Sequence, residues 1–403
     1  MSGSIAASVT NDLIGDFVLS RAVSGVTRAL SVAIYLHDLA GGGVERQSLI
    51  IADEIRRHGI DVTLVVSRLR GQLLKQVPNG LRVIDLGSSR TLQDVPRLAG
   101  FMRREQPDIL LANVDLNNIA ALMAKAVGFC RTKVVICQHN PLSSGYLRSE
   151  TGLYRYVTVS YRLLRVLVHR AEAVSSGVAD ELVTLAKLPR DRVLTINNPV
   201  VGPDFARRRD EVVDHPWFNQ PGRPVFVTGG RLVPQKDHAC MLRALAIHRQ
   251  QFDSRLVLLG TGPLETELKA LAYDLGLTEV VDFQGFQPNA LPYFRQSDAF
   301  LMSSLGEGFG NVLVEALACG TPVISARCDH GPGEILDHGR FGVLVEPRDP
   351  KALAAAMNEV GTLRARFPAD VLRQRASEFS YAACASRYMA MFTALAPNQA
   401  QVI

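Results

Sequence analysis

The feature that most limits the fold is a strand–helix alternation that runs through the chain twice. The first series begins with the apolar segment Ser31–Leu36, a glycine-rich turn, a helical pattern over residues 44–58 and a strand over residues 60–67. This order forms a βαβ unit, which requires a parallel sheet. Further strands are predicted over residues 81–86, 108–113, 133–138 and 173–176. A second series starts at Pro224, so we predict an α/β protein with two Rossmann-like parallel-sheet domains that face a cleft.

The polar segment over residues 204–222 separates the two series. It contains Arg207-Arg208-Arg209, Pro216 and Pro221-Gly222, a composition typical of linkers. A chain of 403 residues is too long for one ordinary hydrophobic core, which also favours two domains. The predicted boundaries are a poorly ordered extension at 1–28, an N-terminal domain at 29–203, the linker, a C-terminal domain at 223–378, and a C-terminal helix with its tail at 379–403.

Composition excludes several classes of protein. The hydrophobic share of 47% and the charged share of 21% are typical of a globular protein. No apolar stretch reaches the ~18–20 residues that a bilayer span needs, and residues 1–28 lack the apolar core of a signal peptide. The six cysteines form no CxxC pair, which favours free thiols in a reducing compartment. We therefore predict a cytoplasmic protein. The net charge is +5, but the sequence contains no run of basic residues and no segment in which aromatic and basic residues alternate. Nucleic acid is therefore not predicted as a partner.

Residues 146–170 form a basic amphipathic pattern. Five arginines accompany a single glutamate there, and apolar residues recur among them at helical spacing. A basic amphipathic helix can lie on an anionic membrane surface. An ordinary helix that packs on its own domain has the same pattern, so both interpretations stay open at this point.

The stretch over residues 303–322 combines a glycine-rich loop with a helix from Asn311 to about Cys319. Glu307 and Glu315 frame it, eight positions apart. Glu315 lies among apolar residues, in a helix that is apolar on every other face and is therefore predicted to be buried. A buried carboxylate without donors costs several kcal/mol, so Glu315 needs protein groups or the hydroxyls of a polyol such as ribose. The helix start at 308–312 offers backbone N–H groups to an anion.

Two cations follow the first strand of the second series. Arg231 and Lys236 lie on one glycine-rich loop, where a guanidinium fork and an ammonium point charge can converge on a diphosphate. In the first series, Gly41-Gly42-Gly43 follows one strand and His139 follows another. Ligands bind beyond the carboxyl ends of strands in such sheets. Cations, free N–H groups and carboxylates together match the phosphates and hydroxyls of a nucleotide-sugar.

The ordered set of motifs resembles the retaining glycosyltransferases of family 4, which have the GT-B fold. The resemblance covers roughly residues 31–395. It rests on Gly229-Gly230-Arg231-Leu232 with Lys236, on Gly260-Thr261-Gly262-Pro263, and on Glu307 followed by Glu315. It implies that the N-terminal domain binds the acceptor, that the C-terminal domain binds the nucleotide-sugar, and that the C-terminal helix crosses back to the N-terminal domain.

The resemblance also implies residue roles. His139 lies beside the anomeric carbon, Arg231 and Lys236 hold the diphosphate, Glu307 contacts the donor sugar and Glu315 binds the ribose. The implied catalytic residues are His139, Arg231, Lys236 and Glu307. The implied donor-binding residues are Gly42, Gly43, Arg231, Lys236, Glu307, Gly308, Phe309, Gly310, Asn311, Val312 and Glu315. Glu334 is predicted in a loop near the donor. The family's usual His-Asp pair is His139-Asn140 here, which removes a carboxylate.

The activity that the resemblance implies is transfer of a hexose or N-acetylhexosamine from a UDP- or GDP-linked sugar, with retention of the anomeric configuration. The implied acceptor is a glycan or a polyprenyl-diphosphate-linked sugar, in polysaccharide or glycan biosynthesis. No cofactor and no metal ion are expected, because the chain has no Asp-x-Asp motif. The enzyme is expected in the cytoplasm, as a peripheral protein at the inner face of the cell membrane. A sugar-nucleotide epimerase and a non-catalytic nucleotide-sugar-binding subunit are the alternatives.

Overall fold

A computed structural model describes residues 29–144, 151–218, 220 and 222–396. The predicted extension at 1–28 and the last residues of the predicted tail lie outside these ranges. Within them the chain forms two parallel sheets, one of seven strands and one of six. The predicted α/β class and the two Rossmann-like domains are confirmed.

The N-terminal sheet has the strand order β3-β2-β1-β4-β5-β6-β7. Its strands are β1 (Ser31–Leu36), β2 (Asp61–Val66), β3 (Arg82–Asp85), β4 (Ile109–Asn113), β5 (Lys133–Gln138), β6 (Arg170–Ala173) and β7 (Val193–Thr195). Its helices are α1 (Gly43–Arg57), α2 (Thr91–Glu105), α3 (Asp115–Gly128), α4 (Thr151–Leu164) and α5 (Ser176–Thr184). Because helices cover both faces, every residue of β1 and β4 is buried. The strand order reverses between β1 and β4, which places a crevice at their carboxyl ends.

The C-terminal sheet has the strand order β10-β9-β8-β11-β12-β13. The short helix α6 (Phe205–Arg209) precedes it. Its strands are β8 (Val225–Gly229), β9 (Arg255–Leu259), β10 (Val281–Gly285), β11 (Ala299–Met302), β12 (Val323–Ala326) and β13 (Val343–Val345). Its helices are α7 (His238–His248), α8 (Glu265–Asp274), α9 (Leu291–Gln296), α10 (Asn311–Cys319), α11 (Pro332–Ile335), α12 (Pro350–Met357), α13 (Val360–Arg366) and α14 (Ala369–Ser377). Here the order reverses between β8 and β11, so the loops after these two strands meet.

The last helix, α15 (Tyr381–Leu395), returns to the N-terminal domain. Its residues Cys384, Tyr388 and Phe392 are buried in the same hydrophobic cluster as Ile34 and Ile55. This confirms the predicted crossing of the C-terminal helix. The two domains are therefore joined by a second chain passage besides the segment at 204–222.

The strand predicted over residues 173–176 is wrong by three positions, since β6 covers Arg170–Ala173. Ser175 instead caps α5, because its hydroxyl accepts a hydrogen bond from the N–H of Val178. The observed strand contains the buried Glu172, and this acidic residue interrupts the apolar run by which a buried strand is predicted. Burial raises the pKa of Glu172 to about 8, so the strand holds a neutral carboxylic acid at pH 7.

Two further outcomes concern segments outside the sheets. The basic helix predicted over 146–170 is shorter, since α4 ends at Leu164 and residues 145–150 lie outside the described ranges. The segment predicted as a linker includes α6, whose Phe205 is buried.

All six cysteines are free thiols, as predicted. Among the described residues, no helix has the length and apolar character that a bilayer span requires.

Candidate active site in the interdomain cleft

A cavity of about 670 Å³ lies between the two sheets and is lined by both domains. The N-terminal wall includes Gly43 and His139. Of the predicted site residues, those that line the C-terminal wall are Arg231, Lys236, Glu307, Gly308, Phe309, Gly310, Asn311, Val312 and Glu315. Gly42 does not line the cavity; it precedes α1 with an extended backbone. The structure thus brings together residues that lie up to 272 positions apart in the sequence, from Gly43 to Glu315.

The strand reversal between β8 and β11 brings a cation and a carboxylate into contact. Lys236 follows β8 and Glu307 follows β11, and the Lys236 Nζ lies 2.6 Å from the Glu307 Oε1. Their side chains are 21% and 10% exposed, so the pair is largely shielded from water. Solvent therefore screens the electric field of the pair in the cleft only weakly. A cation held in this way is placed to meet an incoming anion without reorganising.

Glycines let the loops on this wall pack closely. Gly260 has φ +133°, and a Cβ there would lie 1.9 Å from the carbonyl oxygen of Gly230. A side chain at position 260 would therefore separate the loop after β9 from the loop that carries Arg231 and Lys236. Arg231 itself is exposed at the cleft, and its guanidinium has no ion-pair partner among the described residues.

Glu315 projects from α10 into the cavity. The helix starts after Gly310 (φ +102°) and ends at Gly320 (φ +77°), left-handed conformations that suit glycine. Burial raises the pKa of Glu315 to about 7, and the charges of Arg208 and Arg46 oppose this only partly. No described group donates a hydrogen bond to its carboxylate. The helix is largely buried, as predicted, and Asn311, Val312 and Glu315 form a half-buried face on the cleft.

His139 faces this wall from the end of β5. Its Nε2 lies 3.0 Å from the Asn113 Oδ1, and its Nδ1 is buried without a partner in the described part of the chain. Burial lowers the pKa of His139 to about 4, so the imidazole is neutral at pH 7. A neutral ring that donates Nε2–H to Asn113 keeps Nδ1 as a free acceptor.

The backbones of the two walls touch at Gly308. A Cβ on Gly308 would lie 2.0 Å from the carbonyl oxygen of His139. Beside this point, the Asn198 Nδ2 donates to the Asn311 Oδ1 at 2.9 Å. The two walls of the cleft are therefore in direct contact at this point, with the segment before α10 opposite His139.

Two family models match the chain in succession. The model described as Glycosyltransferase Family 4 matches residues 41–201, and the model described as Glycosyl transferases group 1 matches residues 223–362. Together they account for most of both domains. The chain belongs to the glycosyltransferases that these two models describe.

Relatives of this glycosyltransferase include enzymes of glycan assembly. It is 42% identical over 233 residues to the N-acetylgalactosamine-N,N'-diacetylbacillosaminyl-diphospho-undecaprenol 4-alpha-N-acetylgalactosaminyltransferase of Campylobacter jejuni, a match that covers 57% of this chain and 60% of that protein. It is 25% identical over 364 residues to the lipopolysaccharide core biosynthesis glycosyltransferase LpsE of Rhizobium meliloti, covering 88% of this chain and 97% of LpsE.

Solved structures share the fold. A glycosyltransferase from Rickettsia africae ESF-5 superposes with a TM-score of 0.74 at 17% identity and covers 91% of this chain and 99% of its own. HepE from Anabaena, in complex with UDP, superposes with a TM-score of 0.73 at 20% identity and covers 91% of this chain and 100% of its own. These likenesses confirm the GT-B architecture of the glycosyltransferase.

The structure places Glu334, which was predicted in a loop near the donor, in the short helix α11, and it adds two residues that the sequence did not assign. Glu334 does not line the cavity; its side chain instead contacts the N-terminal domain. Asn113 and Asn198 were missed, although Asn113 carries a usable signal as the last residue of a buried strand. Asn198 carries no such signal, because its partner Asn311 lies on the other domain. Among the described residues, no cluster of three or more His, Cys, Asp or Glu side chains is placed to hold a metal ion.

Proposed function

We propose that this glycosyltransferase moves a hexose or N-acetylhexosamine from a UDP- or GDP-linked sugar to a lipid-linked glycan, with retention of the anomeric configuration. The observation that carries the proposal is one cavity with Arg231, the Lys236–Glu307 pair and Glu315 on one wall and His139 on the other. Cations match the diphosphate, and carboxylates match sugar hydroxyls. Among the relatives, the Campylobacter enzyme is named for an undecaprenyl diphosphate acceptor, and HepE was solved with UDP and with UDP-glucose.

In the proposed reaction the bond from the anomeric carbon to the β-phosphate breaks first, through an oxocarbenium-like transition state. Arg231, Lys236 and the backbone N–H groups at the start of α10 stabilise the charge that develops on the departing diphosphate, without a metal ion. The acceptor oxygen then bonds to the anomeric carbon from the same face, and its proton passes to the departing phosphate. Position 140 is an asparagine and offers no carboxylate, and the scheme uses none beside His139.

Proton NMR of the anomeric signal tests this proposal. The protein is incubated with α-linked UDP- and GDP-sugars, first alone and then with a polyprenyl-diphosphate-linked glycan. We expect a new α-anomeric signal that appears only when the acceptor is present. A β-anomeric product would contradict retention. A change of the sugar without acceptor would indicate an epimerase, and nucleotide binding without any turnover would indicate a binding subunit.

The outer face of α4 supports a membrane-bound acceptor. Val157 and Tyr161 are buried and attach the helix to its domain. The outer face nevertheless carries apolar side chains that are 40–75% exposed, namely Leu153, Tyr156, Val159, Leu163 and, in the following turn, Val166. Arg155, Arg162 and Arg165 are exposed among them. Packing on the domain accounts for the inner face only, and apolar groups flanked by arginines match an anionic lipid surface.

Vesicle flotation tests the α4 face. The wild type is expected to bind phosphatidylglycerol vesicles at low salt, and Leu163→Glu with Val166→Glu is expected to weaken this binding at least ~10-fold, because each exposed apolar side chain contributes to insertion. Leu92→Glu is the matched control, since Leu92 is 69% exposed on α2, away from α4. Equal binding of the α4 variant and the control would contradict the lipid-surface proposal.

A further inference from the structure

The start of helix α5 in the N-terminal domain is hydrogen-bonded to Glu334 of helix α11 in the C-terminal domain. The carboxylate of Glu334 accepts hydrogen bonds from the backbone N–H of Ser176 at 2.7 Å and from its hydroxyl at 2.8 Å. The Asn197 Nδ2 donates to its other oxygen at 2.6 Å. All three donors belong to the N-terminal domain, and Ser176 is the first residue of α5. A carboxylate at a helix N-terminus is favoured by the helix dipole, so the contact is both charged and directional.

A second contact between the domains involves Glu181, which lies five residues after Ser176 on the same helix. The His330 Nε2 lies 3.0 Å from the Glu181 Oε1, and both side chains are about 14% exposed or less. Glu181 also accepts from the N–H and hydroxyl of Ser143, four residues after His139. Burial raises the pKa of Glu181, but the hydrogen bonds from His330 and Ser143 outweigh it and leave the pKa below its usual value. Gly177 permits the approach, since a Cβ there would lie 2.0 Å from the His330 Nδ1.

The segment that carries His330 and Glu334, and that includes the short helix α11, packs on the backbone of Phe309. Gly331 has φ +77°, and a Cβ there would lie 1.8 Å from the carbonyl oxygen of Phe309. From the other side, the Ser175 hydroxyl donates to the carbonyl oxygen of Gly308 at 2.8 Å. Any separation of α5 from this segment therefore also withdraws the backbone of 308–309 from His139.

We infer that Glu334 is a positioning residue, with His330 as its second anchor, and that together with α5 they clamp the cleft shut over the donor. Neither side chain lines the cavity, so both act through the Gly308–Phe309 backbone and through the Ser143 segment that follows His139. The clamp fixes the distance between the acceptor wall and the donor wall, and it excludes water during transfer. This inference rests on the proposed function, because transfer of a sugar is its main readout.

Glu334→Gln tests the clamp with little change of volume. We expect kcat to fall about tenfold, since the variant loses a charged hydrogen-bond acceptor that three donors share. The Kd of UDP or GDP, measured by calorimetry, should stay within about twofold, because the nucleotide-binding wall is untouched. The radius of gyration of the nucleotide-bound variant should exceed that of the wild type in X-ray scattering. Asp337→Asn is the matched control, since among the described residues the half-exposed Asp337 side chain contacts Arg340 at 3.4 Å within its own domain and not the N-terminal domain.

Ser176→Ala tests the same contact from the other domain. It should lower kcat in the same direction as Glu334→Gln, and the double variant should lose less than the product of the two single effects, because both remove one contact. An unchanged kcat in Glu334→Gln, a loss of nucleotide affinity in proportion to kcat, or multiplicative effects would overturn the clamp. If the wild type transfers no sugar at all, the proposed function fails, and the scattering comparison alone decides whether the clamp exists.

Discussion

Lys236→Ala is expected to lower kcat/KM for the donor by about 100- to 1,000-fold while the protein stays folded. The ammonium group lies at the cleft on a side chain that is 21% exposed, and it is held 2.6 Å from Glu307. A charge fixed in this way stabilises the departing diphosphate more than a mobile surface cation does. The loss should appear mainly in kcat, because the negative charge on the diphosphate grows towards the transition state.

The matched control is Lys269→Ala. Lys269 also pairs with a glutamate at 2.7 Å, but this pair lies on the surface of α8 and its lysine is 53% exposed. Surface pairs of this kind contribute little, so kcat/KM should stay within about twofold of the wild type. Steady-state kinetics with the best donor, together with circular dichroism of both variants, makes the comparison. Turnover of Lys236→Ala at the wild-type rate would show that the charge on the diphosphate is stabilised elsewhere.

The strands of both sheets could be predicted where helices cover both faces. Ser31–Leu36 and Lys133–Gln138 match the structure residue for residue, because a strand buried on both sides is a continuous apolar run with abrupt polar ends. The pattern failed at β6, where Glu172 is buried as a neutral acid. From sequence alone a glutamate is treated as charged, whereas burial in the fold raises its pKa and leaves the side chain protonated.

The candidate site was predictable where it is local and unpredictable where it depends on two domains. Arg231 and Lys236 lie on one loop, and Glu307 and Glu315 on one loop and helix, so spacing alone groups each pair. Their meeting follows from the strand reversal between β8 and β11, which the alternation of strands and helices implies. Contacts across the cleft could not be predicted in this way, because they join residues of different domains. The clamp at Glu334 joins positions more than 130 residues apart, and no local pattern sets its geometry.

Glu315→Gln is expected to lower kcat/KM for the donor about 100-fold above pH 7, because a carboxylate accepts hydrogen bonds from two ribose hydroxyls more strongly than an amide does. Burial raises the pKa of Glu315 to about 7 in the free protein. In the wild type, kcat/KM should therefore fall as the pH drops below 7, roughly tenfold per unit at the low end, as the carboxylate takes up a proton. Glu315→Gln should lack this limb of the profile.

The same pKa makes a separate prediction for the protein without donor. A raised pKa means that the folded state holds a proton on Glu315 between the usual pKa of about 4.5 and the pKa of about 7, while the unfolded chain has lost it. The contribution of Glu315 to stability therefore falls as the pH rises through that window. Thermal melts of Glu315→Gln should lose less stability from pH 5 to pH 8 than the wild type, whereas Glu346→Gln, at an exposed position, should follow the wild type. A kcat/KM profile that keeps its acidic limb in Glu315→Gln would assign that limb to another group, and identical melts would place the Glu315 carboxylate in water.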